Sequence, residues 1–162
     1  MRRFILALFL ALIFPALALA SSAAVSVTDI TREQASRAIT ITWTGTPSFT
    51  TVGTNVTLPN GNVVPLSVAC RGFYIIAAET QPSGSAAPTA YAATFTDQYG
   101  LDFFGGKITA MSTTTTALTN LQNNVPLNGS YTFALTGNSN SSGGGTMILY
   151  LLWAGQTQQS AP

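Results

Sequence analysis

The sequence predicts an all-β protein: a single antiparallel β-sandwich, Ig-like or jelly-roll-like, preceded by an N-terminal hydrophobic helix or signal segment. Three observations carry that expectation. Ile39, Ile41 and Trp43 alternate strictly with Thr40, Thr42 and Thr44, which is the period of a strand with one face buried and one wet. Further short runs of this kind follow, divided by Gly, Pro and Asn clusters that mark turns. No segment of the mature chain is long enough for the helix of a parallel crossover, so the strands must pair antiparallel.

The elements follow in chain order. Arg2-Arg3, the apolar run from Phe4 to Phe14, Pro15 and then Ala18-Leu19-Ala20 form the three-part pattern of a secretory signal peptide. The run is short for a bilayer span. Cleavage after Ala20 would leave a chain beginning at Ser21; the alternative is an uncleaved apolar segment, the one route by which this sequence would meet a membrane. Residues 21–37 read as an N-terminal arm, with Asp29 to Ala38 as a helical turn capped by Thr31 and Gln34. The sandwich domain is expected over 38–153, followed by a polar tail at 154–162.

Within the domain, Ile39 to Gly45 is the clearest strand. Phe49 to Leu58 alternates more weakly, and Pro59-Asn60-Gly61-Asn62 is a turn because Asn and Gly accept positive φ. Val63 to Cys70 and Gly72 to Glu79 read as strands, the second apolar on both faces and therefore central. Gln81 to Thr89 is a loop. Tyr91, Ala93 and Phe95 point inward from the next strand, which resumes at Leu101 to Phe104. Ser112 to Thr116 is a hydroxyl-rich loop or edge, Tyr131 to Thr136 a strand, and Asn138 to Gly145 a flexible loop. Met147 to Trp153 is the last buried strand. The expected core includes Trp43, Ile75, Phe95, Phe133, Ile148 and Tyr150.

Composition narrows the function. Charged residues make up 7% of 162 and histidine is absent, which excludes every triad that uses imidazole as base and removes the usual ligand of zinc and copper. The basic residues outside the N-terminus, Arg32, Arg37, Arg71 and Lys107, form no cluster, so no nucleic-acid footprint is present. Cys70 is the only cysteine and reads as a small buried hydrophobe. No cofactor is expected. A Ser–Lys dyad would need Lys107, the only lysine, buried beside a serine. Asn55, Asn128 and Asn140 match the glycosylation acceptor pattern, as chance provides in a chain so rich in Ser and Thr.

Four stretches in order, ITITWTG, GFYIIAAETQPSG, APTAYAATFTDQYGLDFFGGK and VPLNGSYTFALTGNSNSSGGGTMILYL, resemble a family of small proteins encoded by tailed bacteriophages. The shared pattern is a Trp-ending strand, a Gly-led strand closing on a Pro turn, and an aromatic strand running into an Asp-x-x-Gly-x-Asp corner with paired glycines. A Gly-Thr strand closes it. The resemblance covers about Ala38 to Leu152. It implies a β-sandwich accessory or structural component of the virion (capsid decoration, neck or tail) that packs against other virion proteins and copies of itself without catalysis. Two features depart from the family: the signal-like N-terminus, and Ala92-Ala93 where an Asp is common. The first keeps a second localisation open, secreted or periplasmic after cleavage. The matching function is an exported module recognising carbohydrate or a cell-surface partner, with Tyr91, Tyr99 or Trp153 as stacking aromatics.

The corner itself, Thr94 to Gly106, holds two of the five carboxylates, Asp97 and Asp102. The favoured reading is structural: Asp97 accepts amide N–H groups near Gly100 in an Asx-type turn, Asp102 bonds across it, and Gly105-Gly106 lets the chain leave. Two further readings use the same residues. A calcium site would recruit Asp97, Asp102 and carbonyls, though it needs six to eight oxygens; a glycosidase pair would use both carboxylates. No catalytic residue is expected.

Overall fold

The computed structural model describes residues 21–30, 36–84, 86–121 and 125–155. The fold is all-β and antiparallel. Ser22–Asp29 (β1) and Ser36–Thr44 (β2) pair along their whole length. Next come Ser48–Thr50 (β3), Asn55–Thr57 (β4), Val63–Pro65 (β5) and a helical turn at Leu66–Ala69 (α1). Phe73–Pro82 (β6), Ala92–Asp97 (β7), Ala117–Asn120 (β8), Tyr131–Thr136 (β9) and Gly144–Trp153 (β10) complete the chain. A five-stranded sheet has the order β1-β2-β10-β6-β8, a three-stranded sheet β3-β9-β7, and β4-β5 form a hairpin.

One apolar cluster draws on both larger sheets. Ile39, Ile41 and Trp43 of β2 and Met147, Leu149 and Leu151 of β10 meet Ala93 and Phe95 of β7 and Tyr131, Phe133 and Leu135 of β9 in that cluster. Trp43 touches Tyr91 edge-on, with ring centroids 4.9 Å apart. The two sheets are therefore held by shared burial, the dominant favourable contribution to folding.

Several expectations are corrected. Residues 22–29, within the expected N-terminal arm, are the edge strand of the large sheet, because Ala23, Val25 and Val27 alternate toward the core. Asp29 and residues 36–38 lie in strands, so the helical turn does not extend that far; Thr31 and Gln34 lie outside the described residues. Val63 to Cys70 is a strand only to Pro65. Beyond it, Leu66, Ala69 and Cys70 are buried at spacings of three and four, the helical period. The Cys70 amide closes the turn on the Leu66 carbonyl at 3.0 Å.

β6 reverses its phase midway. A bulge near Ile76 and Ala77 shifts its pairing with β10, so Phe73 and Ile75 point inward, then Ala78 and Thr80. An extra residue in one strand does this, and strict alternation across Gly72 to Glu79 could not foresee it. On β10 the buried set is Met147, Leu149 and Leu151, while Ile148 and Tyr150 are on the outer face. An all-apolar run gives no phase, and its partner β2 decides it: Met147 pairs with Ile41 and Ile148 with Thr40. β6 runs on to Pro82, inside the expected loop. Leu101 to Phe104 forms no strand; only Asp102 bridges to Thr96. The loop after β9 is pinned, because buried Asn138 donates to the carbonyls of Gly45 and Gly143 at 3.0 Å.

Candidate functional site

The corner after β7 is built by its two carboxylates. Asp97 Oδ1 accepts the amides of Tyr99 and Leu101, each at 2.9 Å, and its carbonyl accepts Gly100 N–H at 3.1 Å. Asp102 Oδ1 accepts Phe95 N–H and Phe104 N–H at 3.0 Å, and Oδ2 accepts Gly106 N–H at 2.9 Å. Gly100 at φ 86° and Gly105-Gly106 at φ 58° and 67° occupy the left-handed region, where a Cβ is penalised. All five corner residues thus shape two successive turns, closed by Gly100 N–H on the Asp97 carbonyl and by Gly105 N–H on the Asp102 carbonyl. Their product is mechanical: Phe103 and Phe104 enter the core, Phe104 stacked on Phe95 at 5.8 Å and Phe103 edge-on to Tyr131 at 5.0 Å.

That geometry bears on the chemistry. Five amide donors converge on two carboxylates, two on Asp97 Oδ1, two on Asp102 Oδ1 and one on Asp102 Oδ2. Among the described residues, no group of three or more Asp, Glu, Cys or His side chains comes together. Asp102→Ala is expected to lower stability by about 2 kcal/mol, since it strips three amides of a charged acceptor. Asp97→Ala, with two amides facing water, is expected to cost about 1 kcal/mol. Chemical denaturation of the variants checks both; stoichiometric calcium binding lost in Asp97→Ala would assign the corner to a metal instead.

Three other groups matter that the strand pattern did not single out. Arg37 is buried on the inner face of β2. Its Nε donates to Asp29 Oδ1 at 2.6 Å, its Nη1 to the Ala69 carbonyl, and its guanidinium lies 4.9 Å from the Phe73 ring centroid. The period that sets Ile39, Ile41 and Trp43 inward would have found it if carried back two residues. Lys107 Nζ donates to the carbonyls of Leu121 and Asn120 at 3.1 and 3.3 Å, so the only lysine closes a loop. Glu79, on the outer face of β6, accepts Gln81 Nε2 at 2.6 Å on Oε1 and Tyr150 O–H at 2.8 Å on Oε2. Those bonds, from Gln81 and then Tyr150, hold its carboxyl below the usual range. Bonding to Glu79 raises the Tyr150 phenol.

Cys70 is fully buried, and its Sγ–H donates to the Leu66 carbonyl at 2.9 Å. Burial pushes its thiol from 9.0 up to about 12. The folded state therefore keeps a proton that the unfolded chain gives up above pH 9. The stabilisation is complete below 9.0 and is lost as pH rises toward 12. Between pH 9 and 11 the loss is expected to be about 2–3 kcal/mol. Cys70→Ala should remove that part of the slope, as denaturation curves at both pH values would record.

Of the aromatics considered for stacking, Tyr91 is buried, Tyr99 is 86% exposed at the corner tip, and Trp153 is 42% exposed. Trp153 packs edge-on against Phe73, 5.0 Å between centroids. No protein-family model, curated protein or solved structure matches this chain.

Proposed function

We propose that this protein is a β-sandwich packing component of a tailed-phage particle, acting through contacts with other virion proteins and copies of itself and not through catalysis. One observation carries the reading. The outer face of the five-stranded sheet bears Ile76, Leu118 and Ile30, which are 39%, 68% and 53% exposed, beside Tyr150 and Leu152. Contiguous exposed apolar surface of this kind marks a protein contact. Five of the described charges serve the fold: Asp97 and Asp102 hold the corner, Arg37 and Asp29 pair, and Lys107 closes a loop. The resemblance in the sequence supplies the setting. Two sheets sharing one core support the sandwich reading.

A second reading has its own observation. At the other end of the same face, Thr42, Thr44, Thr146, Gln81 and Ser142 line a groove of about 390 Å³. An uncharged, hydroxyl-lined groove suits a neutral saccharide, as an exported carbohydrate-binding module would require, and the signal-like segment fits export. Density-gradient fractionation of an infected culture separates the two. Sedimentation with particles is the expected result. Recovery only from periplasm or medium, as a chain beginning at Ser21 with a glycan bound, would establish the second reading.

A further inference from the structure

The chain holds two Asn-Gly pairs, Asn60-Gly61 and Asn128-Gly129. Asparagine is a thermolabile residue, most of all before glycine, which has no side chain to keep its nitrogen from the asparagine Cγ. Both pairs are exposed, and a Cβ built on either glycine would meet nothing within 4 Å. Packing therefore screens neither pair, and hydrogen bonding separates them. Gly61 N–H donates to the Leu58 carbonyl at 2.8 Å, and Asn60 Oδ1 accepts Asn62 N–H at 3.1 Å. The hairpin thus holds both the nitrogen and the amide that would react. Among the described residues, Gly129 N–H and the Asn128 side chain have no hydrogen-bond partner; Asn128 donates only its backbone N–H, to Tyr131 Oη at 2.6 Å. The other described asparagines are blocked in different ways. Asn55 and Asn62 precede valines, whose branched Cβ crowds the approach. The N–H after Asn120 donates to the Ile76 carbonyl at 3.0 Å, and the side chains of Asn138 and Asn140 are engaged at both oxygen and nitrogen.

We propose that Asn128 is a self-modification site, at which the chain converts its own amide to a carboxylate. The Gly129 nitrogen gives its proton to solvent and attacks Asn128 Cγ. The new N–Cγ bond closes a succinimide ring, the Cγ–Nδ2 bond breaks, and ammonia leaves after taking a proton from solvent. Water then opens the ring at either carbonyl, which leaves aspartate or isoaspartate at this position. Nothing is oxidised or reduced, and water is the one other reactant. The place gives the reaction a consequence, because the segment is pinned on both sides. Leu127 N–H donates to the Phe73 carbonyl and its own carbonyl accepts Gly72 N–H, each at 2.8 Å. Tyr131 N–H donates to Thr51 Oγ1 at 3.0 Å, and the Tyr131 ring stacks on Phe95. Isoaspartate routes the backbone through the side-chain carbons and so adds a carbon between those pins. The entry to β9 must shift to admit it, and conversion therefore loosens the fold there.

The test is peptide mapping by mass spectrometry after incubation at mildly alkaline pH, on the purified chain both folded and in urea. Digestion at acid pH stops the reaction before analysis. In the folded chain Asn128 is expected to convert about tenfold or more faster than Asn60, a ratio that a small difference in barrier produces. In urea the two pairs should react at similar rates, because the hairpin bonds that protect Asn60 are gone. The isoaspartyl chain, separated by its added negative charge, should unfold at lower urea than the unconverted chain. Equal rates in the folded chain, or faster conversion at Asn60, would overturn the assignment. So would an Asn128 that keeps its amide in the folded chain while the unfolded chain reacts. An isoaspartyl chain as stable as the original would overturn the consequence drawn for β9.

Discussion

Arg37→Ala is expected to lower the unfolding free energy by about 3–5 kcal/mol, the usual cost of removing one member of a buried ion pair. Both partners are nearly inaccessible, with side chains 8% and 12% exposed for Arg37 and Asp29. The substitution leaves the Asp29 carboxylate desolvated, the Ala69 carbonyl without its donor and the Phe73 ring without its cation. Arg37 thereby ties the edge strand β1 to α1 and to the start of β6, elements otherwise far apart in sequence. Arg37→Lys should rescue little, because an ammonium lacks the guanidinium fork that serves Asp29 and Ala69 together. Replacing both members, as Arg37→Leu with Asp29→Asn, should recover most of the loss, since no unpaired charge then stays buried. Urea midpoints at constant slope would record the series. Equal losses for the single and the double variant would show that packing, and not the unpaired charge, sets the cost.

Trp43→Ala is expected to be comparably severe, about 3–5 kcal/mol, as for other large aromatic truncations in a core. Trp43 is 2% exposed and meets Tyr91 at the junction of the two sheets, so the cavity opens where neither sheet can collapse alone. Trp43→Phe should cost much less. Among the described residues the indole N–H has no hydrogen-bond partner, and phenylalanine removes that desolvated donor while keeping a ring against Tyr91. Denaturation of the two variants side by side gives the comparison. Similar losses for Phe and Ala would mean that the N–H is satisfied by water in the folded protein.

Much of this fold was legible because hydroxyl and apolar residues alternate. β2, β7 and β9 display their inner faces as Ile39-Ile41-Trp43, Ala93-Phe95 and Tyr131-Phe133-Leu135, and each set is buried. Legibility failed where alternation carries no phase. In β10 every residue from Met147 to Trp153 is apolar, so the choice between Met147-Leu149-Leu151 and Ile148-Tyr150-Leu152 rests on pairing with β2. In β6 the bulge switches faces within a run that is apolar on both sides. Pro65 conceals the change from strand to helical turn, and only the 66-69-70 spacing reveals it. The corner was readable from residue chemistry, since Asp and Gly at those positions favour side-chain-to-backbone turns. Arg37 was readable only by carrying the β2 alternation back two residues into the expected helical turn, and the face of Glu79 was not readable, because the bulge resets the phase of β6 before it. The apolar outer face was missed with the phase of β10: Ile148 and Tyr150 were expected inside, and their outward placement is what leaves the sheet with a surface to pack.

The function proposed for this protein rests on that surface and not on a reaction centre. Quantitative mass spectrometry of purified phage particles tests it most directly. The protein is expected at a fixed copy number relative to the major structural proteins, unchanged between independent preparations and after high-salt washing. Absence from particles, with the protein recovered only as a free monomer carrying a bound sugar, would contradict it.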